Sequence, residues 1–184
     1  MFAVFVTLLC LMSVGHSAPL VCEQLVKPLD QLDLQHLMGK WAVIAGSLKN
    51  SDSAQHFNRT DSVTVDIQNS TYIQASRVDD TCQYRSHNFQ GGNLLTLREG
   101  NFNFTGTLLN TSCSDCLVMT LDLETHNYKS VDVYFLSKRR QLEPKEVEEF
   151  TAQVECLNMP PPIVMDPTKE LCPTEGSTDQ RLFL

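Results

Sequence analysis

Hydrophobic and polar positions alternate along most of the chain between Trp41 and Lys138. Val63, Val65 and Ile67 alternate with polar residues, and Leu117, Met119, Leu121 and Leu123 alternate with Val118, Thr120, Asp122 and Glu124. A period of two sends successive side chains to opposite faces, which predicts strands with one buried face. Six further runs read the same way: one from Trp41, then 72–78, 82–89, 94–97, 102–109 and 130–138, the last rich in β-branched and aromatic residues. Gly91-Gly92 in "QGGN" predicts a tight hairpin turn, and "EGN" at 99–101 a second one. Eight strands at spacings near ten residues, joined by short connections, point to a sandwich or an up-and-down barrel.

One segment changes period. In "LEPKEVEEFTAQVECL" (142–157), Val147, Phe150, Val154 and Leu157 recur at spacings of three and four, behind Pro144 and an acidic first turn. That predicts a helix with one apolar face, ended by "MPPP" at 159–162. "IVM" at 163–165 suits a short peripheral strand. The longest connection, 47–61, has no Gly or Pro and little apolar content. It reads as a long loop able to cover one open end of a barrel.

The first seventeen residues stand apart. An uncharged apolar run from Phe2 to Val14, followed by Gly15 and Ser17, predicts a secretory signal peptide cleaved after Ser17 or Ala18. A domain at 18–175 and a flexible tail at 176–184 follow. The formal charge of −8 argues against nucleic acid or an anionic membrane surface as partner, since both demand basic patches. The chain shows no membrane span. Without Cys10 the cysteines are Cys22, Cys82, Cys113, Cys116, Cys156 and Cys172. An even number in an exported chain predicts three disulfides, with about fifteen pairings open on sequence alone. Sequons at Asn58, Asn69, Asn103 and Asn110 agree with an exported glycoprotein.

Gly39-x-Trp41 at the head of the first strand, after a short helical turn at 33–38, resembles the opening motif of the lipocalins. The resemblance implies an eight-stranded antiparallel up-and-down barrel with a C-terminal α-helix packed on its outside. It also implies that Trp41 closes the narrow end against a basic residue after the eighth strand, where Lys138, Arg139 and Arg140 stand. "PLVCEQLVKPLD", "MGKWAVIAGS" and "EEFTAQVECLN" are similar to the group containing alpha-1-acid glycoprotein and apolipoprotein M. Fish saxitoxin- and tetrodotoxin-binding and tributyltin-binding proteins belong to the same lineage. That likeness implies the pairs Cys22–Cys156 and Cys82–Cys172. The second lipocalin signature, Thr-Asp-Tyr between strands seven and eight, is replaced by "ETHNYK". Cys113-Ser-Asp-Cys116 falls at a hairpin rather than at a helix start, so a local disulfide is expected there in place of a redox motif.

Chemistry for catalysis is sparse. His36, His56, His87 and His126 lack metal-ligand spacing, and no nucleophile elbow or phosphate loop is visible. No enzyme, cofactor or metal is expected. Strand parity gives a candidate ligand wall instead. If Asn103 carries glycan it faces out, turning Phe102, Phe104, Gly106 and Leu108 inward. The same reasoning places Val63, Val65, Ile67, Met119 and Leu121 inside, together with Arg85, His87 and Phe89. On the eighth strand either parity is open until the helix is docked. An apolar Val131, Val133 and Phe135 face suits the helix and leaves Asp132 and Tyr134 inside. With Trp41 at the floor, these residues make the predicted site for a small hydrophobic ligand. The expected function is a secreted, monomeric extracellular carrier of lipids, steroid-like compounds, toxins or organotin compounds. The alternative is a plasma or lipoprotein-associated interaction protein acting through its surface.

Overall fold

A computed structural model describes residues 21–30, 34–68, 71–88, 94–99, 102–125 and 129–174. The eight alternating runs form β1 (Gly39–Leu48), β2 (Ser62–Gln68), β3 (Thr71–Val78), β4 (Thr81–Asn88), β5 (Leu94–Glu99), β6 (Phe102–Leu109), β7 (Cys116–Glu124) and β8 (Lys129–Ser137). The helices are α1 (Cys22–Leu25), α2 (Leu34–Leu37), α3 (Ser51–Asn58) and α4 (Pro144–Cys156), and a two-residue β9 (Ile163–Val164) pairs with β1. The expected signal segment 1–17, the tail 176–184, Asn69, Phe89, His126, the Gly91-Gly92 turn and the Phe102 side chain lie outside what is described.

Every strand pairs antiparallel in the order β4-β3-β2-β1-β8-β7-β6-β5. Placing β1 between β2 and β8 curls the meander into a barrel wall, and among the described residues no ladder joins β4 to β5. A bulge between Val43 and Ala45 resets the parity of β1. Trp41 and Val43 face the interior, Ile44 and Ala45 both join the outer apolar cluster, and Leu48 faces inward again. One extra residue on one strand does this, because two residues then oppose one across the ladder.

The sheet separates two apolar clusters. Inside lie Trp41, Val43, Leu48, Phe57, Val63, Val65, Ile67, Leu108, Leu117, Met119 and Leu136. Outside, Val118, Val133 and Phe135 meet Phe150 and Val154 of α4, with the Phe135 and Phe150 rings stacked at 5.0 Å between centroids. The helix therefore takes the Val133 and Phe135 face of β8, as its apolar stripe requires. Pro144 opens α4 and the Glu146 carboxylate accepts from the Glu143 N–H at 2.8 Å, giving the first turn a partner that the helix itself cannot supply.

Two chain ends are sewn to the wall. Disulfides join Cys22 to Cys156, Cys82 to Cys172 and Cys113 to Cys116. The segment after β9 first follows the edge of β1, where Met165 N–H donates to Ile44 O and the Met165 side chain joins the inner cluster. It then runs over β2–β4, where Ser62 Oγ donates to Glu170 O and Tyr84 OH to Pro173 O.

The 47–61 connection departs from the expected loop by forming α3. Asn50 caps it, accepting from the Ser53 N–H at 2.9 Å. Phe57 is its one buried residue, so it shows no apolar periodicity in sequence. Among the described residues no helix is long and apolar enough to cross a membrane.

Candidate functional site

The narrow end is built first. Gly39 has φ +93°, a conformation glycine adopts without Cβ strain, and this turns the chain from α2 into β1. Trp41 follows, fully buried, its Nε1–H donating to Leu37 O at 2.8 Å. Lys138 Nζ lies 4.7 Å from the centre of the Trp41 ring, a cation–π contact. Arg139, expected to share this role, stands on the outside. Parity explains it, since Leu136 and Lys138 continue the inward phase of β8 and Arg139 falls on the other face.

Arg139 instead ties the β6–β7 connection to α4. Its Nε donates to Asp115 Oδ2 at 2.6 Å, and its Nη2 donates to Glu146 Oε1 at 2.8 Å and to Cys113 Sγ at 3.4 Å. These hydrogen bonds hold the Asp115 and Glu146 carboxyls below their ordinary range. Cys113, Asp115 and Cys116 bring potential metal donors together, but both sulfurs are committed to one disulfide and offer no thiolate. The six described cysteines are all paired, which leaves none of them as a nucleophile.

Above the floor the interior wall is apolar, and of the expected ligand contacts Trp41, Val63, Val65 and Met119 are buried in it. Leu121 and Tyr134 pack against the same cluster, and Phe104 is half-buried opposite Leu123. Ladder register puts Arg85 opposite Gln74 and His87 opposite Tyr72, so both belong to the inner face of β4. Arg85 is nevertheless solvent-exposed.

A polar strip crosses this wall. On β3, Tyr72 OH donates to Gln74 Oε1 at 2.9 Å, and Gln74 Nε2 donates to Ser76 Oγ at 3.0 Å. On β8, the Asp132 carboxylate accepts from the Lys49 N–H, Ser130 and Tyr134. Burial raises the Asp132 pKa despite those donors. Both phenols are pushed above their usual range, first by burial; for Tyr134 the Asp132 charge and the nearby Tyr72 add to it. Arg85 acts on Tyr72 in the opposite sense. Alternation of apolar residues could not find Tyr72, Gln74 and Ser76; the signal is their parity with Ile67, Val65 and Val63 across the β2–β3 ladder.

The buried phenols give a direct check. A phenol held neutral only in the folded chain leaves stability unchanged below about pH 10 and lowers it as pH rises through the unfolded-state value. Tyr72→Phe and Tyr134→Phe should therefore leave the native alkaline absorbance titration unchanged and should reduce only the phenolate released on unfolding. Loss of a step from the native curve in either variant would show that tyrosine to be open to solvent.

The described sequon asparagines lie at the surface to differing degrees. Asn58 ends α3 and Asn103 sits on the outer face of β6, both exposed, while Asn110 is half-buried just after β6.

Comparison with protein-family models finds no match, and comparison with curated proteins finds none. Among solved structures, that of the siderocalin Ex-FABP, described as functioning through dual ligand specificities, is similar with a TM-score of 0.61. The alignment has 15% identity and covers 71% of this chain and 93% of that one. With its curled antiparallel sheet, plugged end and outer helix, this chain has the lipocalin fold.

Proposed function

We propose that the protein is a secreted, glycosylated carrier of small hydrophobic molecules, which it holds inside the barrel without chemical conversion. The observation that carries this reading is an interior with two characters: an aliphatic and aromatic wall, crossed by the Tyr72, Gln74, Asp132 and Tyr134 strip. An apolar body gains about 25 cal/mol per Å² buried on such a wall, and the strip offers orientation. Lipid or steroid-like ligands, and the toxins or organotin compounds suggested by the resemblance, all have that shape of chemistry. The Ex-FABP comparison supports the fold on which the reading rests. Mass spectrometry of organic extracts of the protein from its native fluid should reveal a stoichiometric small molecule.

Charge adds a finer expectation. Asp132 takes its hydrogen bonds from Lys49, Ser130 and Tyr134, while Arg85 acts on Tyr72, so Arg85 does not neutralise the carboxylate. Together with the −8 surface, this favours neutral and cationic ligands over anions. In titrations of an amine, an alcohol and a carboxylate on one hydrocarbon skeleton, the carboxylate should bind weakest. Asp132→Asn should narrow the spread, and the amine's advantage should fade as falling pH protonates Asp132. A carboxylate bound tenfold tighter than the others, about 1.4 kcal/mol, would sink the charge argument.

A further inference from the structure

We infer that Phe57 is an internal plug that occupies the open end of the barrel and must leave before a ligand can enter. The inference rests on the carrier reading above. Phe57 rides on α3, yet its ring belongs to the interior cluster, edge-to-face with Tyr134 at 5.9 Å between centroids. Gly46 makes the room. A Cβ placed there would lie 2.9 Å from Phe57 Cζ and 3.2 Å from Tyr134 Cδ1, so any larger residue displaces one of the two rings. Gly46 pairs with Tyr134 across the β1–β8 ladder, which puts the plug directly over the polar strip.

The helix that carries the plug is built to move as one piece. Its capping bonds close within residues 50–60: Asn50 accepts from Ser53, Arg59 N–H donates to His56 O, and Thr60 N–H donates to Phe57 O. Six of its eight residues are exposed; Ala54 is half-buried, and Phe57 alone is buried. The connection is anchored on both flanks instead. The Lys49 N–H reaches Asp132, while the Asp61 backbone N–H donates to Arg77 O and the Asp61 carboxylate pairs with Lys169 at 2.9 Å. Between two fixed points, a self-capped helix held to the interior by Phe57 and the half-buried Ala54 can swing while the ladders stay intact. Local opening of this kind is drawn from the least stable elements of a fold.

A plug that competes with ligand reduces the apparent affinity by the fraction of time it is out. N-phenyl-1-naphthylamine, a neutral hydrophobic fluorophore, serves as the probe, with stopped-flow rates and hydrogen exchange measured on the same proteins. Phe57→Ala should raise the association rate by about tenfold or more and tighten binding, because no ring has to be expelled. Gly46→Ala should speed exchange of the α3 amides and leave the β7 and β8 amides unchanged. Equal association rates in wild type and Phe57→Ala would overturn the inference. So would weaker binding through faster release, which would make Phe57 a cover over the ligand. If α3 exchanges no faster than β7 and β8 in the wild type, the moving plug is wrong whatever the probe does. If α3 opens alone and the probe binds neither protein, the carrier reading falls and the mobile helix stands.

Discussion

Trp41→Ala should lower the unfolding free energy by about 3–5 kcal/mol, the range for large-to-small changes at well-packed sites. Trp41 is fully buried between β2 and the floor segment, opposite Val65, and it is the chain's one tryptophan. Truncation removes three things together. The indole area returns to water, the Leu37 carbonyl loses its donor, and Lys138 loses its aromatic face. Graded variants separate them. Trp41→Phe keeps most of the area and drops the hydrogen bond, at about 1–2 kcal/mol. Lys138→Met keeps the aliphatic stem and drops the charge, at about 0.5–1 kcal/mol for an exposed cation. Urea unfolding followed by far-ultraviolet circular dichroism measures all three without relying on the tryptophan signal. A Trp41→Ala midpoint close to that of the wild type would mean that the barrel floor is closed by something else.

The Gly39-x-Trp41 half of the floor was legible as a local motif, whereas the basic cluster far along the chain was matched to it through the lipocalin resemblance. Gly39, Trp41 and the Lys138–Arg140 cluster sit at fixed positions relative to strands whose alternation is strong. Parity also separates Lys138 from Arg139 once the inward phase of β8 is settled by α4. The inner wall was legible for the same reason on β2 and β7, where every second residue is apolar. Three features were not. The β1 bulge depends on how β1 pairs with β8, which no local pattern encodes. The Tyr72–Gln74–Ser76 strip is polar, so a search for apolar stripes passes over it although it shares the interior. Helix α3 buries a single side chain and thus has no periodicity to detect; its available signal was Asn50 set three residues before Ser53, a capping arrangement. All three bear on the mouth and the polar strip of the barrel, where ligand choice would be made. The parts that determine stability repeat a pattern, and the parts that would determine specificity depart from it.

Loss of the long-range disulfides should be the other large effect, and the two should differ in where they act. Cys22–Cys156 spans 134 residues and Cys82–Cys172 spans 90, against three for Cys113–Cys116. In the chain-entropy model, closing loops of these sizes removes about 5, about 4.6 and about 2 kcal/mol of unfolded-state freedom. Paired serine variants should therefore be destabilised by about 2–5 kcal/mol for either long bridge and by less for the short one. Cys22–Cys156 fastens α1 to the end of α4, beside fully buried Gln153, whose Nε2 donates to Leu25 O and Asn110 O. Its loss leaves that polar knot in place, so the damage should spread evenly through the unfolding equilibrium. Cys82–Cys172 holds β4, which among the described residues pairs with β3 alone, and the remaining strap is the Ser62, Arg77 and Tyr84 side chains on the 170–173 backbone. Without that bridge the β3–β4 hairpin should open before the rest. Hydrogen exchange there should then accelerate well beyond the change in β7 and β8. If Cys82→Ser/Cys172→Ser unfolds within about 1 kcal/mol of the wild type, the bridge adds little to the strap. If instead exchange rises equally in every strand, the β3–β4 edge is no more dependent on the bridge than the closed β1–β8 side.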